Sequence, residues 1–141
     1  MLVQTRNPQH YALTAAARHD FEGFAERELA GRERPAYPPH VGLVNVVVSG
    51  LNEVEVGRAA SEMTEWLRGL VAAHARHDVD VIGPAPAPLG RIKRRWRWHV
   101  LFRSEDRKLL DRVARYAAAR LPSAVSRQVR LVFDRDPVAV L

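Results

Sequence analysis

The sequence predicts an α/β (α+β) fold in which an antiparallel sheet carries two helices on one face and leaves its other face open. Two stretches of helical periodicity each lie between stretches typical of strands, which gives the order β-α-β-β-α-β after residue 40. That order is the split βαβ, ferredoxin-like arrangement, with two right-handed crossovers. A chain of 141 residues, 47% of them hydrophobic, has the length and the apolar content for one such domain.

The residues before this domain predict a smaller, helical segment. Residues 1–5 are a short apolar fragment that could form a strand. Asp20 is suited to cap a helix that runs to about Glu33. A stiff connector follows, which contains the prolines Pro35, Pro38 and Pro39. We therefore divide the chain into residues 1–40 and residues 41–141.

The first half of the main domain predicts a buried strand and a long helix. Residues 43–48 are mostly apolar and β-branched, as in a central strand. Asn52, with Glu55 three residues later, resembles a capping box. The apolar residues of the helix recur at helical spacing; they are Val56, Ala59, Ala60, Met63, Leu67, Leu70 and Val71.

The middle of the domain predicts two further strands. Residues 79–82 form a short strand that Gly83-Pro84 ends. Because proline cannot join a central sheet ladder, we expect residues 84–88 to be an extended loop. Residues 93–103 alternate in polarity and predict a long strand.

The end of the chain predicts one more helix and one more strand. Ser104 is the expected N-cap, Glu105 and Asp106 suit the positive end of the helix, and Pro122 is expected to stop it. The apolar stripe of this helix consists of Leu109, Leu110, Val113, Ala117 and Leu121. Residues 129–133 predict the last strand, which has three apolar residues on one face: Val129, Leu131 and Phe133.

The composition narrows the class of partner. The formal net charge of +6 favours a polyanion, either nucleic acid or an acidic membrane surface, although a GC-rich genome would also raise the arginine content. No apolar run approaches the roughly 20 residues that span a bilayer, and a signal-peptide layout is absent, so we expect a cytoplasmic protein without a membrane partner. The lack of cysteine excludes disulfides, thiolate zinc sites and thiol nucleophiles.

The basic residues concentrate around the predicted long strand. Residues 83–103 contain no acidic residue, and their six cations equal the net excess of the whole chain. Tryptophans are interleaved among these cations. The candidate nucleic-acid-binding residues are Arg91, Lys93, Arg94, Arg95, Trp96, Arg97, His99 and Arg103.

Alternation divides this strand into two faces. Arg95 and Arg97 lie on the open face, where cations about 7 Å apart can follow a phosphate backbone. Trp96 and Trp98 lie on the other face, where a core position is favoured over base stacking. A solvated basic surface is the alternative to a binding site, and the paired aromatic signature of an RNA-recognition motif is absent.

The sequence contains no recognisable catalytic constellation. It has no GxxxxGK[ST] loop, no GxSxG and no HExxH. His74 and His77 are one helical turn apart, and Asp134 and Asp136 lie two residues apart, but surface and turn roles are favoured over metal binding. We therefore predict no enzyme activity, no metal and no cofactor for this chain.

Six segments of the chain resemble, in order, segments of one known family. They include a Tyr-Pro-Pro connector, a Gly-Pro-rich loop, a basic-aromatic strand and an Asp-x-Asp-Pro sequence. The family is that of the primosomal replication-restart helicases (primosomal protein N′, PriA), and the similar part is its C-terminal region. His40 and Arg135 depart from the family pattern. The six segments are residues 2–10, 19–32, 36–39, 83–88, 91–98 and 134–137.

The resemblance implies a role in DNA binding. Family members are ATP-dependent DNA helicases that bind stalled forks and load the replicative helicase, and their C-terminal domain helps bind branched DNA. It implies forked or single-stranded DNA as a partner, with helicase motor lobes and primosome proteins as further partners in a longer chain. Residues 1–40 would be a remnant of the second motor lobe with its connector helix. The family's motor motifs lie outside this sequence, so ATPase and helicase activity are not carried over.

Two hypotheses about function stay open at this point. In the first, residues 41–141 bind DNA through the basic strand, independently of sequence and with steep salt dependence. In the second, the chain is a docking module with little DNA contact, and Phe21, Phe24 and Leu29 pack on motor lobes or a primosome partner. A small-molecule-sensing domain is a more distant third.

Overall fold

The computed structural model describes residues 2–33, 36–74, 78–124 and 128–137, without the side chains of residues 122–124. The chain forms two compact units, Met1–His40 and Val41–Leu141. The first unit contains two helices, α1 (Tyr11–Arg18) and α2 (Phe21–Gly31). The elements of the second unit are β1 (Gly42–Gly50), α3 (Glu53–His74), β2 (Asp80–Ile92), β3 (Arg95–Ser104), α4 (Arg107–Ala124) and β4 (Arg130–Arg135).

The first unit differs from the prediction in one element. Asp20 does cap α2, because its Oδ1 accepts a hydrogen bond from the Gly23 N–H at 2.9 Å. The possible strand at residues 1–5 is not found, since residues 2–5 have no regular secondary structure. The helix α1 was not predicted, although its alanine-rich sequence has high helix propensity.

The second unit confirms the predicted β-α-β-β-α-β order. Its sheet has four strands in the order β2-β3-β1-β4. Each neighbouring pair of strands is antiparallel. The strand β1 lies in the interior of the sheet, and all but one of its residues are buried, as its apolar sequence predicts.

The core lies between the helices and one face of the sheet. Val46 on β1 and Phe102 on β3 are completely buried there. The capping oxygen of α3 is Asn52 Oδ1, which accepts from the Glu55 N–H at 3.3 Å. Both predicted helical stripes contribute to this core. Their buried members are Val56, Ala59, Ala60, Met63, Leu67, Val71, Leu110, Val113, Ala117 and Leu121.

The proline-rich stretch is part of a strand, which corrects the predicted loop. The strand β2 continues through residues 84–88 to Ile92 and pairs with β3 along the way. Proline is tolerated because β2 is an edge strand, so some of its N–H positions need no partner in the sheet. The pairing shifts register on both sides of Ala85-Pro86, and Gly83 takes up a φ of +110° at the first shift.

The predicted long strand is shorter than expected at its start. Lys93 and Arg94 form a two-residue turn with φ values of 48° and 65°, and Ile92 pairs with Arg95 across it. Positive φ at both positions is the pattern of a type I′ hairpin turn. The prediction failed here because the usual Asn-Gly signal is missing and the polar alternation runs through the turn.

The limits of α4 and β4 also differ from prediction. The N-cap of α4 is Asp106 rather than Ser104, since Asp106 Oδ1 accepts from the Lys108 N–H at 2.9 Å. The helix continues past Pro122, because proline near the C-terminal end removes only one backbone hydrogen bond. The strand β4 extends beyond the predicted residue 133 to Arg135. Of the helices described, none is both long and apolar enough to cross a membrane.

Candidate nucleic-acid interface

The β2–β3 hairpin presents a cluster of cations at its tip. Lys93 and Arg94 occupy the turn and are exposed, and Arg95 begins the outgoing strand. Arg91 lies opposite Trp96 on the neighbouring strand, with its guanidinium carbon 5.0 Å from the centre of the indole ring. This cation–π contact holds Arg91 over the ring while leaving its charge at the surface. We refer to residues 91–95 as the hairpin tip.

A groove lies beside the hairpin tip on the open face, the sheet face opposite the helices. Its volume is about 360 Å³. Val47 and Val132 provide apolar surface, and the basic residues outnumber the single acidic one, Asp134. The lining residues are Asn45, Val47, Ser49, Ile92, Lys93, Arg95, Arg97, Arg130, Val132 and Asp134. We call this feature the open-face groove.

One basic residue of the groove, Arg130, is absent from the predicted set. Ser49 pairs with Arg97 on one side and with Arg130 on the other, so the two arginines flank it across three strands. With strands about 4.8 Å apart, their Cα atoms are separated by roughly 10 Å. The signal for Arg130 was available, because Val129 and Leu131 point to the core and alternation then places Arg130 on the open face.

The cations of this region are largely free of carboxylate partners. Lys93, Arg94, Arg95 and Arg130 form no ion pair with any residue that the structure describes. Arg97 donates a long hydrogen bond of 3.4 Å to the Leu89 carbonyl oxygen. A cation without a carboxylate partner can bind a phosphate without first breaking an ion pair.

Arg103, also in the predicted set, lies at the opposite end of β3. It lies eight positions after Arg95, or about 26 Å along the strand. Its Nε donates to Asp80 Oδ2 at 3.1 Å, in an ion pair with the neighbouring strand β2. The structure therefore brings Lys93, Arg95 and Arg97 together beside the groove. It places Arg91 on the Trp96 side of the hairpin and Arg103 at the far end of β3.

His99 lies in the middle of β3, between Val47 on one side and Ala85 on the other. Its Nδ1 is buried and has no hydrogen-bond partner in the described structure. Burial, followed by repulsion from Arg97, lowers the pKa of the imidazole below its ordinary value. Both effects favour the neutral ring, so a contact between His99 and a phosphate would be a neutral hydrogen bond.

The tryptophans face the core side of the sheet. Both Trp96 and Trp98 are half-buried and pack against the core cluster. The Trp98 ring lies over Gly57 of α3, where a Cβ atom would be 3.4 Å from its Cζ2. This placement agrees with the favoured core interpretation and puts both rings on the opposite side of β3 from the groove.

Two pairs of residues were considered as possible metal ligands, His74 with His77 and Asp134 with Asp136. Asp136 Oδ1 accepts from the Leu43 N–H at 2.8 Å and from Arg135 Nη1 at 3.0 Å, which is a structural role at the end of β1. His77 lies outside the described residues. Within the described ranges, no cluster of three or more potential ligands is close enough to hold a metal ion.

The chain is similar to known proteins over most of its length. Residues 33–138 match the family described as the primosomal protein N C-terminal domain. Identity to the replication restart protein PriA of Treponema pallidum (strain Nichols) is 32%, over 100% of this chain and 20% of that protein. The corresponding protein of Synechocystis sp. is 33% identical over 73% of this chain and 12% of its own length. For Bacillus subtilis (strain 168) the identity is 29%, over 79% of this chain and 13% of the relative. The chain thus spans about a fifth or less of the curated relatives it matches.

Proposed function

The chain belongs to the primosomal protein N C-terminal domain family, and from this premise we propose that it binds DNA during replication restart. The binding surface consists of the hairpin tip and the open-face groove. Forked or single-stranded DNA is the proposed ligand, and contacts to phosphates provide most of the affinity. The proposal includes no motor activity, because the P-loop that would hold a nucleotide is absent from this sequence.

The observation that carries the proposal is the grouping of cations without carboxylate partners. Lys93, Arg94, Arg95 and Arg130 come from one turn and two strands, and no described carboxylate neutralises them. Like charges held close together repel one another, so their clustering costs free energy in the isolated domain. A polyanion removes that repulsion on binding and releases its own counterions, which makes association favourable at low salt.

We assign each predicted site residue a role in DNA binding according to its position in the structure. The residues proposed to contact phosphates are Arg91, Lys93, Arg94, Arg95 and Arg97, together with Arg130. The Trp96 ring holds the Arg91 guanidinium in place through the cation–π contact, and His99 offers at most a neutral hydrogen bond. Arg103 is assigned no more than a minor part, because Asp80 already holds its guanidinium.

The first unit supports a second candidate function, docking to a protein partner. Neither α1 nor α2 has a single buried residue among those described, and Phe21 is 76% exposed. A cavity of about 480 Å³ lies between the two helices. Helices that bury no apolar face of their own gain most of their stability by packing on something else. Since the relatives are much longer proteins, we propose a motor lobe as the partner of this unit.

The test is a titration of this chain against labelled forked, duplex and single-stranded DNA, followed by fluorescence anisotropy at low and moderate salt. Neutralisation of about four phosphates predicts a slope of log K against log [salt] of roughly −3 to −4. Replacing Arg95 and Arg97 with alanine should make the slope shallower. An unchanged slope removes those two residues from the site, and the absence of binding to any DNA at low salt leaves docking as the function.

A further inference from the structure

We propose that the open-face groove accepts one unpaired nucleotide and selects bases that carry an exocyclic amino group over thymine. This inference rests on the proposed DNA binding and goes beyond it, because phosphate contacts alone do not distinguish one base from another. The base would lie on the floor of the groove, and its phosphates would lie at the rim.

The first argument is an unsatisfied hydrogen-bond acceptor in the groove. Asn45 lines the groove, yet only 2% of its surface is exposed, and its Oδ1 has no hydrogen-bond partner among the described residues. Buried polar atoms in folded proteins are nearly always paired, and an unpaired one is costly. Because this oxygen is buried beneath the groove surface, the Asn45 side chain must rotate before a ligand can donate a hydrogen bond to it, and that bond would remove the cost.

The second argument is the position of Asp134. This residue pairs with Asn45 across β1 and β4, so the two side chains lie next to each other on the open face. A carboxylate offers acceptors only and repels phosphate, which makes the site unsuitable for the DNA backbone. It suits a base edge that bears N–H donors. Adenine, cytosine and guanine present amino groups, whereas thymine has only its ring N–H.

The third argument is the shape and chemistry of the groove surface. Val47 and Val132 give it an apolar wall, while the cations stand toward the hairpin tip. An apolar wall suits the flat face of a base, and arginine guanidinium groups can stack on that base while they contact its phosphate. A base inside duplex DNA cannot reach such a groove, because it must leave the stack first. The ligand is therefore an unpaired nucleotide.

The test compares oligo-dC and oligo-dA with oligo-dT of equal length, by anisotropy with the whole chain. We expect oligo-dC and oligo-dA to bind about fivefold or more tightly than oligo-dT at the same salt, with equal salt slopes. Asp134→Ala should reduce this ratio toward one. All three oligonucleotides gain from the loss of a charge that repels phosphate, but oligo-dC and oligo-dA also lose the acceptor for their amino groups. Asp111→Ala is the matched control, because Asp111 lies outside the groove and pairs with Arg135.

Asn45→Ala provides the second variant, with its folding checked by circular dichroism. It should weaken oligo-dC and oligo-dA while leaving oligo-dT unchanged. Salt-dependent binding that is equal for all three oligonucleotides would overturn the base-selective groove and leave the proposed DNA binding intact. The absence of binding to every oligonucleotide would overturn the groove proposal and, if forked DNA also fails to bind at low salt, the proposed DNA binding as well.

Discussion

Both ends of the sheet carry arginines, but the two ends hold them differently. At the hairpin end, Arg95 and Arg130 have no carboxylate partner among the described residues. At the other end, Arg103 and Arg135 each form ion pairs with aspartates, at distances of 3.1 and 2.8 Å. The same side chain thus serves as a surface charge at one end and as a structural link at the other.

For the proposed binding of DNA, the comparison predicts that the position of carboxylates matters more than the number of cations. An ion-paired arginine must give up its partner before it can bind a phosphate, so its net contribution to affinity is small. The cations that give the chain its formal net charge of +6 are therefore not equally available to bind phosphate. It is concentrated at the end of the sheet where acidic residues are rare.

The largest effect should come from reversing charge at the hairpin end. With Arg95→Glu and Arg130→Glu together, we expect DNA affinity at low salt to fall about 100-fold or more, because two phosphate contacts become repulsive. The matched control is Arg58→Glu with Arg112→Glu, which has the same net charge but changes exposed positions on α3 and α4, outside the groove. Equal losses of affinity in the two double variants would show that net charge, and not the groove, determines binding.

At the opposite end of the sheet, near Arg135, we expect a clear effect on stability and none on DNA binding. Asp136→Ala leaves the Leu43 N–H without its acceptor and removes one partner of Arg135. We expect the free energy of unfolding to fall by about 1–3 kcal/mol, measured by urea denaturation. DNA affinity below the unfolding transition should stay unchanged. A loss of affinity in the folded variant would contradict the division between the two ends.

His99, between the two ends, should make stability depend on pH. Because its pKa is lowered in the folded protein, the unfolded chain binds a proton more readily, and acid favours unfolding. Its contribution is fully present above the ordinary value of 6.5 and is lost progressively as the pH falls from there through the folded pKa. Urea midpoints at about pH 7.5 and about pH 5.5 should therefore differ less in His99→Gln than in the unchanged chain. An equal pH dependence of both would remove His99 as a cause.

The smallest effect is expected from Arg103→Ala. An exposed ion pair of this kind contributes at most about 1 kcal/mol to stability, so the urea midpoint should move little. The salt slope of DNA binding should stay the same. A slope shallower by about 0.7–0.9 would mean that Arg103 does contact a phosphate and that the binding surface runs the whole length of β3.

The order of the elements could be predicted because it depends on local patterns. The helical stripe from Val56 to Val71 and the apolar strand β1 each have one stable solution, a face against the core. The course of β2 could not be predicted in the same way. Whether prolines fit a strand depends on whether that strand lies at the edge of the sheet, and strand order is a property of the whole fold.

The candidate site was predictable along one strand but not across strands. The cations of the hairpin tip and the start of β3 stand out because they lie close together in the sequence, between Arg91 and Arg97. Arg130 is distant in sequence and becomes a neighbour of Arg97 only through the pairing of both strands with Ser49. The unpaired oxygen of Asn45 is invisible at the level of sequence, because Asn45 reads there as a polar interruption of an apolar strand.

The prolines of β2 have a consequence for how copies of the chain meet at high concentration. Pro84, Pro86 and Pro88 have no N–H group to offer to any strand laid along β2. Edge strands with regular amide donors are the places where sheets of separate molecules join and aggregates begin. The sheet is protected from such growth along β2. If copies of the chain gather on DNA as proposed, they can reach high local density without joining their sheets at that edge.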